Sequence, residues 1–106
     1  MEKYPADKAI KEVKEKGAIV INVGMPFEYA AEHIPGSINL PIEDVEAGKN
    51  PDVPKDTKIF LHCGSGGRAE KVKNILRERG YKKVENIGGL VDWERAGGDV
   101  ERMKNK

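Results

Sequence analysis

Cys63 is the only cysteine in the 106-residue chain, and Gly64, Ser65, Gly66, Gly67 and Arg68 follow it directly. A loop so rich in glycine can turn its backbone N–H groups toward one point, because glycine reaches backbone angles that other residues avoid. The helix expected to follow aims its positive end at the same point. A thiol at the floor of such a cradle has a lowered pKa, and the thiolate is the form that attacks. A lone cysteine is more often a small, inert core residue. An inert residue has no use for a ring of amides, so nucleophilic chemistry is the stronger expectation here. A nucleotide phosphate loop is excluded, since it requires Gly-Lys followed by Ser or Thr and neither tripeptide occurs.

The elements that must hold this loop are legible on both sides of it. Ile59, Phe60 and Leu61 form a short apolar run of the kind that makes a buried strand. Ala69, Val72, Ile75 and Leu76 fall at helical spacing, predicting a helix over 68–79 that Gly80 closes. His62 precedes Cys63, but adjacent strand residues face opposite sides of a sheet, so it is expected to pack away from the thiol.

Upstream, residues 6–16 predict a helix with Ala9, Ile10 and Val13 on its inner stripe and Gly17 ending it. The opposite charges at Lys11 and Glu15, and at Glu12 and Lys16, mark a solvated face. Residues 18–23 are a continuous apolar strand, the pattern of a parallel sheet covered on both faces. Pro26 opens a short helix running to Ala31. His33 is expected to tie down the Pro35-Gly36 turn rather than to act in chemistry, and a very short strand follows. Residues 42–47 predict a helical turn or two, and 48–57, with Pro51 and Pro54, a surface loop.

Downstream, a strand is expected at 84–87, a sharp turn at Gly88-Gly89, and a helix over 90–96 with Trp93 as a core anchor. Residues 101–106 are expected to be a frayed polar tail. Strands alternating with helices imply an α/β fold with right-handed crossovers, a mostly parallel central sheet and flanking helices. Working loops in such sheets lie at the carboxyl ends of strands, which is where Cys63 falls.

Length and composition point to one domain over 1–106, with its core at about 6–100. Charged residues make up 35% and the net charge is +1, which gives no electrostatic case for nucleic acid or a membrane surface. Two histidines and one cysteine are a poor zinc set, and a single cysteine forms no internal disulfide. Residues 1–5 do not read as a signal peptide and no apolar run is long enough to span a bilayer, so a cytoplasmic setting is expected. A monomer is the expected state.

Three segments together resemble the rhodanese-like domain family, in its small sulfurtransferase form. They are His33-Ile34-Pro35-Gly36-Ser37-Ile38-Asn39-Leu40-Pro41, the loop Cys63-Gly64-Ser65-Gly66-Gly67-Arg68, and Ile87-Gly88-Gly89-Leu90-Val91-Asp92-Trp93 with Gly97 behind it. The resemblance implies a rhodanese-like three-layer fold and persulfide chemistry. Cys63 would take the outer sulfur of a donor such as thiosulfate and yield it to a thiophilic acceptor, cyanide or a thiol. The backbone of Gly64, Ser65, Gly66, Gly67 and Arg68 would cradle the sulfur anion. No metal or organic cofactor is implied. Partners would be the small-molecule donor and acceptor, or a sulfur-accepting protein. Other roles open to the fold are a non-enzymatic sulfur-relay or protein-binding module, and an arsenate reductase or phosphatase. The last resemble a pattern with five residues between cysteine and arginine. Here there are four (64 to 67), and Ala69 stands where the arginine would be. Arg68 is expected to pair with an acid and brace the loop rather than to reach the anion. Two departures stand out. Asn22-Val23-Gly24 replaces the family's Asp-Val-Arg, removing two charges and with them an expected supporting ion pair, and Glu32 replaces a glycine before the His-Ile-Pro-Gly turn.

Overall fold

The computed structural model describes residues 2–103. Helix α1 (Ala6–Lys16) ends at Gly17, whose φ of 69° is the left-handed turn that stops a helix. Strand β1 (Ile19–Asn22) is followed by α2 (Pro26–Ala31), which Pro26 opens. Two short strands, β2 (Glu32–His33) and β3 (Ile38–Asn39), precede α3 (Ile42–Glu46). Strand β4 (Lys58–Cys63) leads into α4 (Gly67–Glu78), and β5 (Lys83–Gly89) leads into α5 (Leu90–Arg95). A last strand, β6 (Glu101–Arg102), closes the order.

The sheet runs β3-β1-β4-β5, and every pairing in it is parallel. Because β1 and β4 are flanked on both edges and covered on both faces, each is a mainly apolar run, with Asn22 and His62 as buried polar residues near the carboxyl ends. Alternation along β4 sorts the core into two halves. Ile59 and Leu61 face one side, where Ile21, Val45, Val72 and Leu76 bury them under α3 and α4. Phe60 faces the other side, against Ala9, Val20, Ile87 and Trp93 under α1 and α5. The architecture is therefore helix, sheet, helix, as expected. Full burial of side chains such as Phe60 and Leu61 contributes about 1.5–3 kcal/mol each.

Three local expectations need correction. Gly88 and Gly89 are not a turn but the end of β5, which continues past a bulge. Leu61 pairs with Asn86 and His62 with Gly88, so Ile87 is the extra residue. Glu101 and Arg102 are not frayed: β6 pairs antiparallel with β2, and Arg102 bonds Glu94 at 2.8 and 2.9 Å and Glu32 at 3.0 Å. The remainder of the expected tail, 104–106, lies outside the described residues. Finally, His33 does not hold the Pro35-Gly36 turn itself. Its Nδ1 lies 2.8 Å from the Tyr29 carbonyl and its ring stacks on Tyr29, while the Tyr29 hydroxyl donates to the Ser37 carbonyl.

Candidate functional site

Cys63 is the last residue of β4, so its thiol sits at the carboxyl edge of the sheet, 3% exposed. The Gly66 N–H donates to Sγ at 3.0 Å. Gly66 caps α4 with φ 96°, an angle open to glycine and strained for other residues. Burial pushes the thiol pKa up, but the backbone N–H groups of Ala69, Gly66, Ser65 and Arg68 outweigh it and the net shift is downward. The cradle thus reaches one residue beyond Arg68, to Ala69. Gly64 and Ser65 are exposed along its rim, and Gly67 is the exposed first residue of α4.

Arg68 braces the loop. Its two terminal nitrogens grip Glu28 at 2.7 and 2.9 Å, a bidentate pair linking α4 to α2. Glu28 also accepts the Met25 N–H at 2.7 Å. The Arg68 hydrogen bond first, and then that backbone bond, lower the Glu28 pKa to about 2. Glu28 in turn raises the Arg68 pKa, with a smaller contribution from the Cys63 thiolate, so the guanidinium acts on both. Asn22 and Gly24 carry no charge, as the sequence shows, but a different ion pair, Glu28 with Arg68, supports the loop. Gly24 makes room for it: a Cβ there would stand 3.0 Å from Asn22 Oδ1 and 3.1 Å from Glu28 Oε1.

Two further residues hold the cradle: Asn86, which the sequence reading did not single out, and Gly89, which it read as part of a turn. Asn86 is 1% exposed on β5. Its Nδ2 donates to the Gly66 carbonyl and to Glu70 Oε1, both at 3.1 Å, and its Oδ1 accepts the Gly88 N–H at 2.8 Å. The residue whose amide touches the thiol is thus fixed through its own carbonyl. A buried asparagine inside an apolar strand was the available signal, because such a side chain must find partners. Gly89 allows the close approach: a Cβ there would lie 2.3 Å from the Gly64 carbonyl oxygen.

His62 is 1% exposed, and among the described residues neither of its ring nitrogens has a hydrogen-bond partner. Burial pushes its pKa down to about 4, against a small opposing effect of the Cys63 backbone, so the ring is neutral at pH 7. Cys63 and His62 both border a pocket of about 70 Å³, with Asn22, Glu28, Glu32 and Leu90 around it.

The family pattern described as Rhodanese-like domain matches residues 5–96. The chain belongs to the rhodanese-like domain family. Thiosulfate sulfurtransferase PspE of Escherichia coli (strain K12) is 40% identical over 73 residues, which are 68% of this chain and 70% of PspE. YrkF of Bacillus subtilis (strain 168), whose name describes a sulfur carrier protein, is 36% identical over 75 residues, 70% of this chain. This rhodanese-like chain spans only 40% of the length of YrkF. Among solved structures, the crystal structure of a rhodanese-related protein from Thermoplasma volcanium superposes with a TM-score of 0.80 at 27% identity, covering 95% of this chain and 98% of that one. The rhodanese-like loop of this chain is a ring of backbone donors around a sulfur, closed by a guanidinium tied to a carboxylate. Such a ring stabilises negative charge on Sγ or on an atom bonded to it.

Proposed function

We propose that this chain is a sulfurtransferase that accepts a sulfane sulfur on Cys63 and passes it to a thiophilic acceptor. The observation carrying this is the Gly66 N–H on Cys63 Sγ at 3.0 Å, in a loop whose amides lower the thiol pKa. In the first step the Cys63 thiolate attacks the outer sulfur of thiosulfate. The sulfur–sulfur bond of thiosulfate breaks, sulfite leaves with the bonding pair, and Cys63 becomes a persulfide anion. That terminal sulfur would be stabilised by the loop of Gly64, Ser65, Gly66, Gly67 and Arg68, through the amides of Ser65, Gly66, Arg68 and Ala69 that already lower the thiol pKa. In the second step cyanide or a thiol takes the terminal sulfur and the Cys63 thiolate is regenerated. A single cysteine suits this cycle, because a neighbouring thiol would strip the persulfide by exchange. A monomer in a reducing, cytoplasmic setting belongs to the same proposal. Among the described residues no helix is long and apolar enough to cross a membrane.

Thiosulfate is proposed as donor on the likeness to PspE. A sulfur-relay role, with a protein as acceptor, is the second reading, favoured by the likeness to YrkF and by the commitment of Arg68 to Glu28, which leaves little free charge for a dianion. Phosphatase chemistry is disfavoured because Ala69 supplies no guanidinium for a phosphoryl group. Steady-state turnover of thiosulfate with cyanide, beside Cys63→Ser, tests the proposal. Thiocyanate formed by the native chain and not by the variant is the expected result. A persulfide that forms without turnover on small acceptors moves the function to the relay. Hydrolysis of an aryl phosphate dependent on Cys63 would overturn the proposal.

A further inference from the structure

Five polar or charged residues are buried among the described residues, and two of them, Asn86 and Lys73, meet at a single atom. Asn86 Nδ2 lies 3.1 Å from Glu70 Oε1, and Lys73 Nζ lies 3.0 Å from the same oxygen. Glu70 and Lys73 stand one turn apart on α4, and pairs at this spacing on a helix surface usually do little. This one differs in its burial. The Lys73 side chain is only 10% exposed, and an ammonium leaves water at high cost unless an anion holds it. The Asn86 amide is fully committed. Its two N–H bonds go to groups that only accept, the Gly66 carbonyl and the Glu70 carboxylate, and its oxygen takes the Gly88 N–H. The Glu70 backbone N–H also donates to the Gly66 carbonyl, at 3.0 Å. Glu70 therefore reaches the residue on the thiol by two routes, its own amide and the Asn86 side chain. Asn86 first, and Lys73 after it, hold the Glu70 pKa below the usual carboxylate range, so this group is charged at neutral pH.

We infer that Glu70 and Lys73 are positioning residues for Cys63: Lys73 fixes the Glu70 carboxylate, Glu70 fixes the Asn86 amide, and Asn86 fixes Gly66 with its N–H on Sγ. The inference deepens the sulfurtransferase reading, whose first step needs the thiolate, but it is decided by the ionisation of the thiol and not by turnover. The order of the links sets the sign of the effect. A carboxylate acting on the thiol through its field alone would hold back the thiolate, so its removal would lower the Cys63 pKa. A carboxylate acting through Asn86 does the opposite. Without it the amide loses an acceptor, the hold on Gly66 loosens, and the Cys63 pKa rises. The other charged or titratable groups around the thiol stay in place in either case: Arg68 on α4, Glu28 on α2, Glu32 on β2 and His62 on β4.

The experiment follows iodoacetamide alkylation of Cys63 across pH in the full chain. Glu70→Ala is expected to move the profile up by about half a unit to one unit, which is a roughly threefold to tenfold slower reaction at pH values below the thiol pKa. Glu70→Gln, which keeps an oxygen in place for Asn86, is expected to titrate at or below the native pKa. An unchanged or lowered profile in Glu70→Ala, or equal profiles for the Ala and Gln variants, overturns the assignment. Such a result would leave the pair a structural one, whose loss lowers the melting temperature and spares the profile. Glu70→Ala combined with Lys73→Met removes one charge of each sign and leaves no unpaired ammonium, so it keeps the test open if Glu70→Ala does not fold. The double variant is expected to show the upward shift of Glu70→Ala and no more, because Lys73 acts only through Glu70. A native profile in the double variant overturns the whole chain of contacts, and a shift beyond that of Glu70→Ala overturns the place of Lys73 in it. Should the native chain never load sulfur, the sulfurtransferase proposal fails by itself, and these titrations still decide the role of Glu70 and Lys73.

Discussion

The reactivity proposed for Cys63 rests on side chains that never touch its sulfur. Asn86 holds the Gly66 carbonyl, and Gly66 holds Sγ. Asn86→Ala would free that carbonyl and orphan the Gly88 N–H, costing about 2–3 kcal/mol of stability. It is also expected to raise the Cys63 pKa, read as an upward shift in the pH profile of iodoacetamide alkylation. A purely structural asparagine would lower stability and leave that profile in place. His62 gives a second prediction. Folded, it takes a proton only near pH 4, whereas an unfolded histidine does so near 6.5. Proton uptake therefore favours unfolding as pH falls through this window. Stability is expected to drop by about 3 kcal/mol between pH 6.5 and 4 and then to lose nothing more from this residue. Glu28 acts lower: its contribution is complete above pH 4.5 and is lost as pH falls to about 2. Denaturant titrations across pH should show the upper step in the native chain and not in His62→Asn; an upper step that survives in the variant would assign it to another group.

At the scale of elements, the site exists because β4, β5 and α4 meet at one edge of the sheet. Gly89 sets how closely they meet. A methyl at that position would press on the Gly64 backbone, so Gly89→Ala must displace either the cradle or β5. Gly67→Ala introduces a methyl with nothing within 4 Å, at the first turn of α4. Gly89→Ala is expected to lose thiol reactivity and to lower the melting temperature. Gly67→Ala should keep reactivity and hold or gain about 0.5–1 kcal/mol. Thermal melts beside alkylation rates check both, and a tolerated Gly89→Ala would contradict the packing described. These elements were legible where the signal is local. The 6–16 periodicity and Gly17 fix α1, and the apolar run before Cys63 fixes β4. What escaped depends on residues far apart in sequence. The β2–β6 pairing joins two dipeptides with no strand periodicity, Glu28 meets Arg68 across 40 positions, and the bulge at Ile87 shows only in the register with β4. Asn86 and Gly89 were visible as residue types, but their partners come from the loop folded over them.

Over the whole molecule, four parallel strands place one thiol at their carboxyl edge, with helices on both faces and charge balanced to +1. A net charge of +1 gives no electrostatic case for a polyanion, so specificity is expected to come from the pocket beside Cys63. The central claim is that Cys63 carries the transferred sulfur. Intact mass after incubation with thiosulfate, with Cys63→Ser alongside, tests it most directly. The expected result is a gain of one sulfur atom by the native chain, removed by cyanide and absent in the variant. If neither thiosulfate nor other sulfane-sulfur donors leave any sulfur on the native chain, or if Cys63→Ser gains it equally, the claim is contradicted.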